Sequence, residues 1–404
     1  MSADSLTPDD RRLPDPPDFS PFLGGPLFQL LRRTRLSGDA MELLHRRIVV
    51  IALVAWLPLL VLSTLASLQG YRAEVPFLAD FAVHARFLLA MPLLIVAELV
   101  VHQRMRSVVS QFLERQLVPE GAMPRFHAAI ASALKLRDSV FIEAALVALV
   151  YAVGVQVVWR HYTVPAAATW YVAPTAGGGG SRLSLAGVWY GYVSMPLFQF
   201  LLCRWYFRLF VWARFLWHVS RLDLRVQPLH PDRAGGLGFL GGTSDALGPF
   251  VAAHGALLAG MIANQIFHLG AALPDFRTEV LVTIVVLLCV TLGPLLVFAP
   301  QLARSRRTGS REYGTLAARY AREFDAKWLR GGAAADESLL GSGDIQSLAD
   351  LGNSFEVVRT MRPVPFASRA VVQLAFTTLA PIVPLALTMM PLDELVKKLF
   401  GILF

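Results

Sequence analysis

Cysteine is almost missing from this chain of 404 residues: the two it has, Cys203 and Cys289, both fall inside apolar blocks. That excludes a disulfide framework and any CxxC metal site. Charge is also scarce. Asp, Glu, Lys and Arg together make up 16%, where a soluble protein carries roughly 25%. No Gly-Lys-Ser/Thr loop, HExxH pair or Ser-His-Asp order stands out, which removes the familiar nucleotide-binding, zinc-protease and hydrolase signatures. The first twenty residues are rich in Asp and Pro and hold no apolar run. They form neither a signal peptide nor an amphipathic transit peptide, and a disordered tail is expected there.

What is present is apolar: 55% of residues, gathered into long blocks. The chain has too little charge to wet a soluble surface, so the expected class is all-α, a polytopic integral membrane helical bundle. A hydrocarbon core about 30 Å thick needs about 20 apolar residues in a helix. Seven blocks meet that need: Ile48–Ser67, Val83–Gln103, Ser139–Trp159, Ala186–Cys203, Leu247–Leu273, Glu279–Pro300 and Ala370–Met390. The last is interrupted by Pro381 and Pro384 and is read as kinked or re-entrant. Leu392–Phe404 follows as an amphipathic interfacial helix too short to span.

Lys and Arg set the orientation. With the N-terminus in the cytoplasm, the inner segments hold 30 of the 37 basic residues, and the positive-inside rule selects that arrangement. The net charge of +8 follows from the same bias, so nucleic acid is not an expected partner. The division is a cytoplasmic tail (1–47), helices 1–2 (48–103), a cytoplasmic helical loop (104–138) and helices 3–4 (139–203). A basic helical extension with a glycine-rich loop (204–246), helices 5–6 (247–300), a cytoplasmic helical region (301–369) and the kinked segment with its interfacial helix (370–404) complete it. The loops show helical spacing and no strand alternation, so a small helical layer is expected beneath the membrane.

Polar residues inside apolar blocks are the candidate site. On the fifth span His254, Asn264, Gln265 and His268 fall within one arc of about 100°. A polar stripe facing lipid is costly. It therefore makes interhelical hydrogen bonds or lines a pore or ligand site with titratable histidines. Gly255 and Gly260 on the same helix point to close backbone approach. Glu98 and Glu143 lie near the cytoplasmic ends of antiparallel neighbours. At similar depth they bind a cation, relay a proton, or pair with local arginine.

Arg204, Arg208, Arg214, Arg221 and Arg225 share a basic face about 140° wide on a helix that continues the fourth span. Their spacing does not suit a voltage sensor. A helix against anionic lipid headgroups is expected, with a cationic vestibule as the alternative. His230, Asp232, Gly235, Gly236 and Gly238 form a glycine-rich turn or gate. Two metal ligands without a third predict no metal. Ser244 and Asp245 are positioned to cap the fifth span. In the seventh segment, the carbonyls freed by Pro381 and Pro384 need Thr377, Thr378, water or a cation, which makes the segment a hinge candidate.

These features predict first an oligomeric ion channel or channel-like transporter, because one polar helix seldom encloses a conduit without further copies of the chain. The alternative is a membrane-embedded sensor or signalling component acting through its cytoplasmic helices. A lipid enzyme comes last, since no convergent catalytic cluster is visible. No cofactor is expected. The partners expected are the lipid bilayer, anionic headgroups and other copies of the chain, in a bacterial inner membrane.

Overall fold

The long apolar runs become long helices in the computed structural model, which describes residues 41–71, 73–159, 169–174, 181–334 and 336–389. The expected N-terminal tail up to residue 40, the glycine run Gly177–Gly180 and the interfacial helix at Leu392–Phe404 lie outside the described residues. The elements in chain order are α1 (Met41–Leu68), α2 (Phe81–Glu114), α3 (Met123–Arg137) and α4 (Val140–Leu149), then the strands β1 (Val172–Pro174) and β2 (Ser181–Leu183). After these come α5 (Leu185–Val219), α6 (Gly242–Ala246), α7 (Gly248–Leu269), α8 (Arg277–Leu292), α9 (Ala299–Phe324), α10 (Gly343–Arg359) and α11 (Ser368–Leu379). Among the described residues five helices are long and apolar enough to cross a membrane: α1, α2, α5, α7 and the run Leu273–Leu329 that contains α8 and α9. The chain is a multi-pass helical membrane protein by that measure.

The remaining two apolar blocks are shorter pieces. The third gives α4, ten residues long, continued by a wider π-type turn over Val150–Trp159. The seventh gives α11, twelve residues long, which stops at Leu379; a turn at Ala380–Ile382 then leads into a 3-10 stretch, Val383–Met389. The break falls where Pro381 removes an amide donor and crowds the preceding turn. The two pieces nonetheless run the length of the bundle. Pro365 and Phe366, just before α11, meet Gly241 at one end, while Leu385 packs with Leu273 and Phe276 at the other. Proline shapes α2 and α5 as well: each contains a π turn, Ala85–Ala90 and Tyr190–Ser194, just before Pro92 and Pro196. The wider turn gives the ring room that a regular helix denies it.

One element departs from the all-helical expectation. β1 and β2 pair antiparallel, Val172 opposite Leu183 and Pro174 opposite Ser181. Three-residue strands are too short for alternation to betray them.

The centre of the bundle is α7, which packs against α2 on one side and α11 on the other. The two glycines expected to permit close approach serve different neighbours. A Cβ on Gly255 would lie 2.1 Å from the Thr378 carbonyl oxygen, and one on Gly260 would lie 2.5 Å from Ala85 Cβ. Small residues here let backbones meet where side chains would hold them apart. The N-terminus of α7 is not capped as expected. Its cap position is Leu247, without a side-chain bond, and the Ser244 hydroxyl donates instead to Gly241 O. The preceding turn α6 closes directly onto α7, so Ser244 and Asp245 sit inside a helical turn rather than at the cap. At the same end, α9 and α10 form a helical hairpin and α3 packs on α5. Gln301 ties the layer to the bundle by donating to Ser220 O and Leu222 O at 2.8 and 2.7 Å.

Candidate functional site

The polar stripe of α7 divides into two groups. His254 lies midway along the interface with α5. Its Nδ1 donates to Phe250 O at 2.9 Å, and its Nε2 accepts from the Tyr206 hydroxyl at 2.8 Å. The carbonyl can only accept, so the Nδ1–H tautomer is the one that satisfies both partners. Both ring nitrogens are thus occupied by protein, as in the interhelical reading of the stripe.

The other three residues gather at the far end of α7, around Asp80. This acid caps α2: its Oδ1 accepts from Val83 N at 3.2 Å. The same oxygen accepts from Asn264 Nδ2 at 2.9 Å, and Oδ2 accepts from Trp170 Nε1 at 3.0 Å. His268 Nε2 donates to Ala79 O at 2.8 Å. The Gln265 side chain makes no hydrogen bond among the described residues. Asp80, Trp170, Tyr171, Asn264, Gln265 and His268 line an open cleft of about 240 Å³. Asp80 is 8% exposed, a buried carboxylate held by neutral donors. Sequence reasoning singled out the three α7 residues and missed Asp80 and Trp170; an Asp immediately ahead of an apolar run was the available signal for the first.

A second cluster lies where α1, α2, α4 and α5 meet. Glu98 Oε1 accepts from Arg204 at 2.9 Å and Arg208 at 2.8 Å, while Oε2 pairs with Arg47 at 2.6 Å. Glu143 reaches Arg204 Nε at 3.4 Å. Glu98, Arg47, Arg204 and Arg208 are all buried. The structure therefore corrects the headgroup reading of Arg204 and Arg208. Glu98 and Arg47 on neighbouring helices supply the counter-charge that turns these two arginines inward. Depth agrees across the helices. Glu98 is about 26 Å along α2 from Phe81, and Arg204 about 28 Å along α5 from Leu185, at ~1.5 Å per residue. Both sit near the bundle end where α1 and α4 begin. Three guanidiniums face two carboxylates, so the two acids do not form a cation site of their own. The rest of the basic face disperses. Arg214 donates to Ser132 Oγ at 2.9 Å, Arg221 lies 4.2 Å from the Trp217 ring, and Arg225 lies beyond the end of α5, its amide donating to Leu117 O.

The glycine-rich loop closes around Asp232. Its carboxylate accepts three backbone amides, Ala234 and Gly238 at 2.8 Å and Gly236 at 3.1 Å. Burial pushes this carboxyl up, but the three amides and His230 outweigh it and hold it below the usual carboxylate range. Gly235 and Gly236 have φ of +63° and +94°, values that suit glycine, and a Cβ on Gly238 would meet Asp232 Oδ2 at 2.8 Å. Arg115 donates to Gly236 O, and Arg362 donates to Asp232 O. His230 and Asp232 thus anchor a turn that joins three segments of the helical layer. Among the described residues no group of three or more His, Cys, Asp or Glu is placed to hold a metal ion.

In the seventh segment, Thr377 and Thr378 donate to Gln373 O and Leu374 O at 2.8 and 2.9 Å. Those carbonyls lie one turn before the ones that Pro381 and Pro384 free, so the threonines do not satisfy the break. The Thr378 carbonyl instead faces Gly255. No family model matches this chain, and no curated protein or solved structure matches it either.

Proposed function

We propose that this chain is a membrane-embedded sensor: a small ligand enters the cleft at Asp80, and its occupancy is relayed along α7 to α11 and the helical layer. One observation carries the reading. The cleft residues Asn264, Gln265 and His268 and the docking residue Gly255 share a single helix of 22 residues, so a tilt imposed at the cleft reaches the kinked segment where it meets Gly255. The protein partners of His254 and His268 favour this alternative over a conduit along α7.

A covalent occupant tests it. In a chain whose Cys203 and Cys289 are serine, a bulky maleimide on Gln265→Cys should alter amide exchange across 343–379. Unchanged exchange there would remove the relay. The same protein in liposomes should pass no ions above background, and steady flux would return the channel reading.

The 30-to-7 division of basic residues supports an N-terminus and helical layer in the cytoplasm, with the cleft outside. A bacterial inner membrane, assembly with further copies and contact with anionic headgroups belong to the same proposal. A cysteine at Ala272, in the same background, should label from outside, and one at Ala334 only after permeabilisation; the reverse pattern would invert the topology.

A further inference from the structure

The cleft at Asp80 also carries a statement about what it binds, which rests on the sensor reading for its site. Among the described lining residues Asp80 is the one Asp or Glu, and none is Lys or Arg. Its donors are an indole N–H, a carboxamide N–H and a backbone N–H, all neutral. No basic side chain reaches it within ion-pair distance among the described residues. A buried carboxylate without a counter-charge is costly. Beside it, Asn264 Oδ1 is buried with no donor, and the Gln265 amide is free. The walls are Trp170 and Tyr171. The cleft therefore sets a carboxylate and a free carboxamide beside an aromatic wall, with no Lys or Arg among its described lining residues.

We infer that the cleft takes a small primary ammonium ion. Such a group has three donors and one positive charge. It answers the Asp80 carboxylate and the Gln265 carbonyl together, and its alkyl part lies against the aromatic wall, where the rings attract the cation as well. A quaternary ammonium has the charge without the donors, and an alkali cation lacks the apolar part. Neither matches the set as a whole.

The test is calorimetric titration of the full chain in nanodiscs with propylammonium, tetramethylammonium, potassium and propionate. Propylammonium should bind saturably and at least tenfold more tightly than the other three. Asp80→Asn should lower that affinity at least tenfold; asparagine is also a good helix N-cap, so α2 keeps its start. Gln265→Leu, at the cleft wall and away from Asp80's own bonds, should lower it several-fold. Equal binding of tetramethylammonium or potassium, or unchanged binding by Asp80→Asn, overturns the assignment. Amide exchange in 343–379 separates the two claims. Propylammonium that binds through Asp80 without changing exchange leaves the ligand class standing and removes the sensor. Exchange that responds to the maleimide adduct, with no ammonium binding, does the opposite.

Discussion

Glu98→Leu is expected to melt roughly 5 °C below the parent, because stranding buried charge costs about 3–5 kcal/mol and each kcal/mol shifts a chain of this size by about 1 °C. Glu98 pairs with Arg47, Arg204 and Arg208 at once. Without it, three buried guanidiniums repel one another, with Glu143 on Arg204 to offset them in part. The source of the loss is separable from simple packing. A Glu98→Leu, Arg208→Leu double variant restores the original excess of one positive charge and should recover at least half of the lost melting temperature. Removing Arg208 alone should cost less than removing Glu98, since the remaining two arginines keep their carboxylate. If the double variant melts at the sum of the two single losses, the network is not what ties α1, α2, α4 and α5 together. Thermal scans of the purified protein in one detergent decide between the two.

The same network shows where sequence reading stops. A helical wheel finds that Arg204 and Arg208 share a face, but it cannot say what covers that face. Their partner lies 106 and 110 positions away, and a residue at the head of the first span, Arg47, completes the set. Lipid and protein look alike from one helix, so headgroup contact and a buried ion pair give the same pattern. Asp80 was hidden for a related reason. Locally it is an ordinary cap before an apolar helix, and its burial is made by Trp170, ninety positions on. Features written in one stretch of chain fared better. The break at Pro381 and the paired glycines of the fifth span both follow from backbone sterics, which need no partner to be known. Even there the partners were not legible: that Gly255 meets the broken segment and Gly260 meets α2 is a fact of tertiary packing.

Gly255→Val should separate the two ends of the proposed relay. A Cβ at this position lies 2.1 Å from the Thr378 oxygen, 3.0 Å from its carbonyl carbon and 3.3 Å from Pro381 Cδ. None of these atoms belongs to a side chain that can swing away, since two are backbone and the third is a ring locked to it. The segment must therefore move off α7 by more than an ångström, and it draws Ile382 away from Leu258, Ala259 and Ile262. Overpacking of this kind costs about 1–3 kcal/mol, less than the loss at Glu98, so the variant should still fold. A short bismaleimide linking cysteines at Leu258 and Ile382, in a background with serine at Cys203 and Cys289, should give a several-fold lower yield in Gly255→Val. Gly260→Val presses on α2 instead, at Ala85 and Phe81, and should leave that crosslink nearly intact. The cleft lies more than two turns beyond Gly255, so occupancy of Gln265→Cys by maleimide should be retained in Gly255→Val while its effect on exchange in 343–379 disappears. A variant that loses the crosslink yet keeps the exchange response would show that the signal bypasses this contact, and the relay would have to run through α2 and the Asp232 turn.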